Sequence, residues 1–222
     1  MDKSKSPFCR RRPIPRPMAE QLSLIYRSPW IYHRVMRLLH GRNFRHRYEM
    51  IAAEIPEGSR VTEFCAGDAW LYLHYLKPKH IRYLGLDVSP YFADAARAKG
   101  VEFRLHDLTK DPIPPADIVI LQASLYQFPE QAEEIVRQMI AAAGVRVIIS
   151  EPVKNLSHSS HPWIAGLARR ISRAPGHATA AHRYDQVTFR ALMDKFPQCE
   201  RIFMEKGERE MIAVLRGEGH SV

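Results

Sequence analysis

Three carboxylates stand at regular intervals in the middle of the chain. Glu63, Asp87 and Asp107 each fall at or near the end of a short apolar run, in VTEF, YLGLD and VEFRLHD. Asp87 lies 24 residues after Glu63, and Asp107 a further 20 on. A carboxylate at a strand end can accept two hydrogen bonds from the vicinal hydroxyls of a ribose, and one beside a base can accept from an exocyclic amine such as that of adenine. Taken singly, each acid is as readily a helix cap or a turn former. Their order along successive strands is what points to a nucleoside-like ligand.

The loop that follows the first run reads CAGDAW from Cys65 to Trp70 and holds one glycine, Gly67. A dinucleotide fold needs several glycines here, so that the backbone can approach a pyrophosphate at a helix N-terminus. Asp68 would also repel a phosphate. The loop therefore argues against NAD or FAD. It favours a ligand without phosphates that carries a cationic or amino group for Glu63 or Asp68 to attract.

These residues need elements to position them. After the Pro56 and Gly58 turn, short apolar runs alternate with amphipathic stretches: Val61 to Cys65, Trp70 to Leu76, Tyr83 to Leu86, Tyr91 to Ala98 and Val101 to Leu105. Ile118 to Leu121, Ala132 to Ala142 and Val145 to Ile149 continue the pattern. Strands separated by helices imply right-handed crossovers and a parallel sheet covered on both faces, a doubly wound α/β domain. Arg201 to Met204 and Met211 to Leu215 flank the turn sequence Lys206-Gly207-Glu208-Arg209, which suits an antiparallel hairpin at one edge. Ligands of such sheets bind outside the carboxyl ends of the strands.

Composition sets the class. A chain of 222 residues with 45% hydrophobic and 26% charged residues is foldable and fits one domain, with a second small module at most. The run from Met139 to Ile149 is broken by Arg146 and is too short to span a bilayer. Cys9, Cys65 and Cys199 are odd in number and far apart, which gives neither a disulfide framework nor a paired metal spacing. We expect a cytoplasmic protein. The basic N-terminus lacks the apolar core of a secretory signal and is read as mature sequence.

The net charge of +9 is uneven: residues 1–60 carry +8 and the remainder +1. Residues 1–17, with Arg10, Arg11, Arg12 and Arg16 amid four prolines, are expected to be a disordered leader. Residues 18–57 are expected to form a helical cover, with one helix over roughly Phe44 to Glu54. Clustered cations could meet a nucleic acid, and an arginine-studded amphipathic face across residues 20–47 could lie on a membrane surface. The plain alternatives are a solvated leader and a helix packed on its own domain.

On the quoted runs VTEFCAGDAWLYLHYL, YLGLDVSPYFADAARAKG, VEFRLHDLTKD and ADIVILQASLYQF, the sequence resembles the class I S-adenosylmethionine-dependent methyltransferases over about residues 58–150. The closing hairpin resembles that family's sixth and seventh strands. The resemblance implies a Rossmann-like, mostly parallel seven-stranded sheet over 58–222 and S-adenosyl-L-methionine as cofactor. By the same resemblance Glu63 would orient the methionine amino group, and Cys65, Ala66 and Gly67 would pack against the cofactor. Asp87 would hold the ribose hydroxyls, with Val88 against the adenine. Asp107 would meet the adenine amine beside Leu108, and Gln122 and Ala123 would line the methionine side.

The chain departs from the family's acidic-x-Gly-x-Gly-x-Gly loop by placing Cys65 and Ala69 at the first and third glycines. A non-catalytic cofactor binder is therefore an alternative. Gln122-Ala123-Ser124-Leu125 stands where many base-modifying methyltransferases carry Asn-Pro-Pro-Tyr, which ranks an RNA-modifying role below a small-molecule or lipid-like acceptor. Methyl transfer from a sulfonium needs an aligned acceptor and, in some cases, a base. Tyr126 and Glu151 are the candidates. The segment 152–184 is longer than a simple connection and is expected to form a lid. Its His158, His161, His177 and His182 lack a zinc spacing, and Arg169, Arg170 and Arg173 could contact an acceptor.

Overall fold

The computed structural model describes residues 44–153 and 183–219. The leader 1–17, most of the 18–57 cover, and the four histidines and Arg169, Arg170 and Arg173 of the 152–184 segment lie outside the described residues. Helix α1 spans Phe44–Ala53, and strand β1 Arg60–Phe64 leads into a helical stretch with a π-helical turn at Tyr72–Leu76 and a 3-10 turn at Lys77–Lys79. Strand β2 (Arg82–Asp87), helix α2 (Pro90–Ala98), strand β3 (Phe103–Leu105) and strand β4 (Ala116–Gln122) follow. A 3-10 turn at Leu125–Gln127, helix α3 (Ala132–Ala142) and strand β5 (Ala143–Pro152) complete the central part. Helix α4 (Gln186–Met193) and strands β6 (Cys199–Met204) and β7 (Glu210–Arg216) close the chain.

The seven strands form one sheet in the order β3-β2-β1-β4-β5-β7-β6. The first five run parallel, and β7 pairs antiparallel with both β5 and β6. The doubly wound sheet and terminal hairpin expected from the sequence are both present. The order reverses between β1 and β4, so the loops leaving those strands diverge and open a crevice at their carboxyl ends.

Alternation along each strand builds two cores. One face carries Val61, Tyr83, Ile118, Ile120, Ile148 and Ile212, covered by Ile51 and Ile55 from the α1 region, Leu71 and Leu76, and Ala93 and Ala96 of α2. The other carries Phe64, Val119, Leu121, Val147, Ile149 and Leu215 under α3 and α4. Helix α2 starts where Pro90 fits the first turn and Ser89 accepts from the Phe92 amide. Helix α4 begins in a capping box between Asp185 and Thr188. Among the described residues no helix is long and apolar enough to cross a membrane.

Candidate cofactor site

Glu63, the penultimate residue of β1, lies on the α1 face, 3% exposed. Its carboxylate accepts from the Tyr83 hydroxyl at 2.6 Å and from Gln122 Nε2 at 2.5 Å. Burial pushes its pKa up to about 7, against the pull of those two donors and of the nearby Arg47 cation. Gln122, the last residue of β4, spends its amide nitrogen on Glu63, and its Oε1 is buried without a partner. A buried acceptor left open costs free energy unless something donates to it. An ammonium group carries three donors and matches the need.

The loop after β1 has an unusual backbone. Cys65 has φ 49°, Gly67 56° and Ala69 60°, all left-handed. Cys65 and Ala69 hold a conformation that glycine adopts freely, at a cost of about 1–2 kcal/mol each. A third non-glycine residue, Ala123 after β4, has φ 48°. Strained backbone at the mouth of a crevice is a mark of a functional site. A Cβ built on Gly67 meets no atom within 4 Å, so the loop leaves open space there. Burial pushes the Cys65 thiol well above its ordinary pKa, which makes it a packing residue and not a nucleophile.

Asp87, at the end of β2, is buried and accepts from the Gly67 amide at 3.0 Å and the Ser89 amide at 2.8 Å. Each oxygen keeps acceptor capacity toward a diol. Burial raises its pKa despite these amides. Val88, the next residue, is 47% exposed, an apolar surface beside the crevice. Asp107 lies beyond β3, and its neighbours already occupy it. Thr109 donates from its amide at 3.1 Å and its hydroxyl at 2.7 Å, and Lys110 Nζ approaches to 2.6 Å. Burial works against these donors, yet they hold the Asp107 carboxyl below the usual range. Leu108 is buried beside it. Asp68, the other carboxylate of the loop, is buried and pairs with Lys99 at 3.7 Å.

Glu151 occupies a different place. The period of the strand puts Ser150 on the Glu63 face and Glu151 on the face of α3 and α4. Its Oε1 accepts from the amides of Ser124 and Leu125 at 2.8 and 2.6 Å, which anchors the turn after β4. Its Oε2 is buried without a partner. Burial pushes its pKa up to about 8. Tyr126 in that turn is half-buried, with the Arg183 guanidinium 4.9 Å from its ring centre. The structure thus brings Glu63, Gln122, Asp87 and the 65–69 loop together, and places Tyr126 and Glu151 in a neighbouring cluster.

Sequence reasoning missed Tyr83, Ser150, Glu210 and Arg47, which continue the polar row from Glu63 across the sheet. Ser150 Oγ donates to Glu210 Oε2 at 3.0 Å, and Arg47 Nη1 bonds both Glu210 oxygens at 2.8 and 3.0 Å. The signal was present: Ser150 breaks the apolar run of β5, and Arg47 sits one turn before Ile51 on the buried side of α1.

No family model matches this chain, and no curated protein does. Solved structures do match in fold. Magnesium protoporphyrin IX methyltransferase from Synechocystis PCC 6803 with bound SAH is 17% identical, with TM-score 0.59 over 84% of this chain and 87% of its own. A chain of the Haloferax volcanii complex between the Trm112 methyltransferase activator and a methyltransferase is 15% identical, with TM-score 0.65 over 89% of this chain and 98% of its own. The TehB-like SAM-dependent methyltransferase from Corynebacterium glutamicum is 17% identical, with TM-score 0.58 over 86% and 98%. With its strand order, antiparallel closing hairpin and these neighbours, the chain has the class I S-adenosylmethionine-dependent methyltransferase fold.

Proposed function

We propose that this chain is an S-adenosylmethionine-dependent methyltransferase that moves a methyl group to a small-molecule or lipid-like acceptor. The observation that carries the reading is the convergence of two buried carboxylates, Glu63 and Asp87, on the left-handed loop around Gly67. Glu63 and the open Oε1 of Gln122 would receive the amino group of the cofactor. The backbone of Cys65, Ala66 and Gly67 would run beside it, with Ala123 on the methionine side. Asp87 would accept from the ribose hydroxyls, and Val88 and Leu108 would flank the adenine. Asp107, fixed by Thr109 and Lys110, would present its remaining lone pairs to the adenine amine.

When bound, the cofactor supplies an activated methyl on a sulfonium. The chain has to align the acceptor, exclude water and take up a proton where the acceptor releases one. Tyr126 and Glu151 would serve those tasks. A carboxyl that titrates near 8 can hold a proton or accept one around neutral pH. Residues 18–57 and 152–184 would form the cover, and the +8 stretch at 1–60 leaves contact with a membrane surface or nucleic acid as the lesser readings. Binding without turnover is the second reading. It is favoured by Cys65 and Ala69 in the loop.

The test is a calorimetric titration of the purified chain with S-adenosylhomocysteine, followed by incubation with methyl-labelled cofactor and cell extract. Micromolar binding with a labelled acceptor supports the enzyme, and binding without label supports the second reading. No binding would remove the cofactor assignment.

A further inference from the structure

The polar row that contains Glu63 runs on past the cofactor residues and ends on a cation that none of the roles above includes. On the face covered by α1, Tyr83 and Gln122 donate to Glu63. Gln122 and Ser150 are register partners on β4 and β5. Ser150 then donates to Glu210 of β7, and Glu210 is held by Arg47 of α1. Arg47 is 6% exposed and Glu210 4%. The second arm of the guanidinium, Nη2, donates to the Tyr48 hydroxyl at 2.7 Å.

A fork that bonds both oxygens of a buried carboxylate fixes its position, and this one pins α1 to the sheet beside the open edge of the site. Burial is also what gives the charge its reach. In a medium of low dielectric constant a charge acts over several ångströms, where water would screen it. The titratable groups that face Glu63 are Tyr83 on β2, Cys65 and Asp68 on the loop after β1, and Tyr48 and Arg47 on α1. Arg47 is the cation of that set, and it favours the charged form of Glu63.

We propose that Arg47 is a positioning residue of the cofactor site: pinned by Glu210, it holds a positive charge near Glu63 and favours the anionic form of that carboxylate, which the cofactor's ammonium group would meet. The inference rests on the cofactor reading above for its ligand, and on the Arg47, Glu210 and Ser150 contacts for its geometry. It makes α1 part of the binding site and not only a lid. It also gives cofactor affinity a pH dependence that the N-terminal helix sets.

The test follows the titration of Glu63 directly, by carbon NMR of protein labelled at the glutamate carboxyl carbons, with Glu63→Gln to assign the signal. Calorimetry with S-adenosylhomocysteine over the same pH range gives the second readout. In Arg47→Met the Glu63 midpoint rises by about one unit, and Arg47→Lys restores most of it. Affinity in Arg47→Met then falls about tenfold near pH 6, and the deficit closes as the pH passes about 8.5. Arg47→Gln, which keeps a hydrogen-bond donor for Glu210 and removes the charge, raises the midpoint likewise.

An unmoved midpoint in Arg47→Met, or an affinity deficit equal at every pH, overturns the proposal and leaves Arg47 as a packing contact. Should Arg47→Met not fold, Arg47→Gln decides: a midpoint that stays or falls overturns it as well. Wild-type protein that fails to bind S-adenosylhomocysteine, but whose Glu63 midpoint follows Arg47, would sink the cofactor reading alone.

Discussion

Asp87 Oδ2 accepts the Gly67 amide at 3.0 Å, so the carboxylate proposed to hold the ribose also fixes the loop that would run beside the methionine. The two halves of the site are coupled through one side chain. Asp87→Ala should weaken S-adenosylhomocysteine binding by roughly 1–3 kcal/mol, through lost charge-assisted hydrogen bonds. Asp87→Asn, which keeps one acceptor oxygen, should lose less. Calorimetry on the two variants checks the order. Equal affinity in the wild type and Asp87→Ala would take Asp87 out of the site.

Gly67→Ala separates the shape of the loop from its stability. The residue has φ 56° and an added Cβ meets no atom within 4 Å, so the folded chain loses only about 1–2 kcal/mol to backbone strain. If the open space is the cofactor's, the methyl group stands in its way. We expect a drop of a few degrees at most in Tm and a far larger loss of S-adenosylhomocysteine affinity. Parallel thermal melts and titrations compare the two effects.

The buried carboxyls make stability fall as pH rises. Burial pushes the Glu63 and Glu151 carboxyls up to about 7 and about 8 in the folded chain, against an ordinary value of 4.5. Between pH 4.5 and 8 the folded state therefore binds more protons than the unfolded state, and the slope of unfolding free energy with pH is negative. The stabilising difference is whole below the unfolded value and gone above the folded one. Melts across that window should show a declining Tm, and Glu151→Gln should flatten the decline. A Tm that climbs over the same range in both proteins would refute the burial argument.

Gly85 lies in β2 with no room beside it. A Cβ there falls 2.5 Å from Phe103 Cδ2, and Phe103 is itself 3% exposed in the core. Gly85→Ala should cost about 1–3 kcal/mol by overpacking. Denaturant unfolding measures it, and a change below about 0.5 kcal/mol would mean that the edge strand β3 yields easily.

The legible part of the fold was the part encoded locally. Apolar runs marked β1, β2, β4 and β5, and Ala132 to Ala142 coincides with α3. Glu63 and Asp87 were readable because each closes such a run. Asp107 was readable as an acid at a strand end, and its engagement by Thr109 and Lys110 was written two and three residues away. Arg47 was not readable in the same way. An arginine in an amphipathic helix belongs in water unless a buried partner awaits it, and Glu210 stands 163 residues further along. Glu151 follows a simpler rule. Strand alternation sets it on the face opposite Ser150 and Glu63, which the period of two alone implies.

Cys65, Ala69 and Ala123 hold left-handed backbone that their side chains disfavour. That disfavour is met once, when the sheet folds, and it is the same whether or not a ligand is present. A glycine in those places would leave the loop freer to wander, and its ordering would then be charged against every binding event. Here the crevice is preorganised, so association should proceed with a small entropic penalty and little rearrangement of the loop.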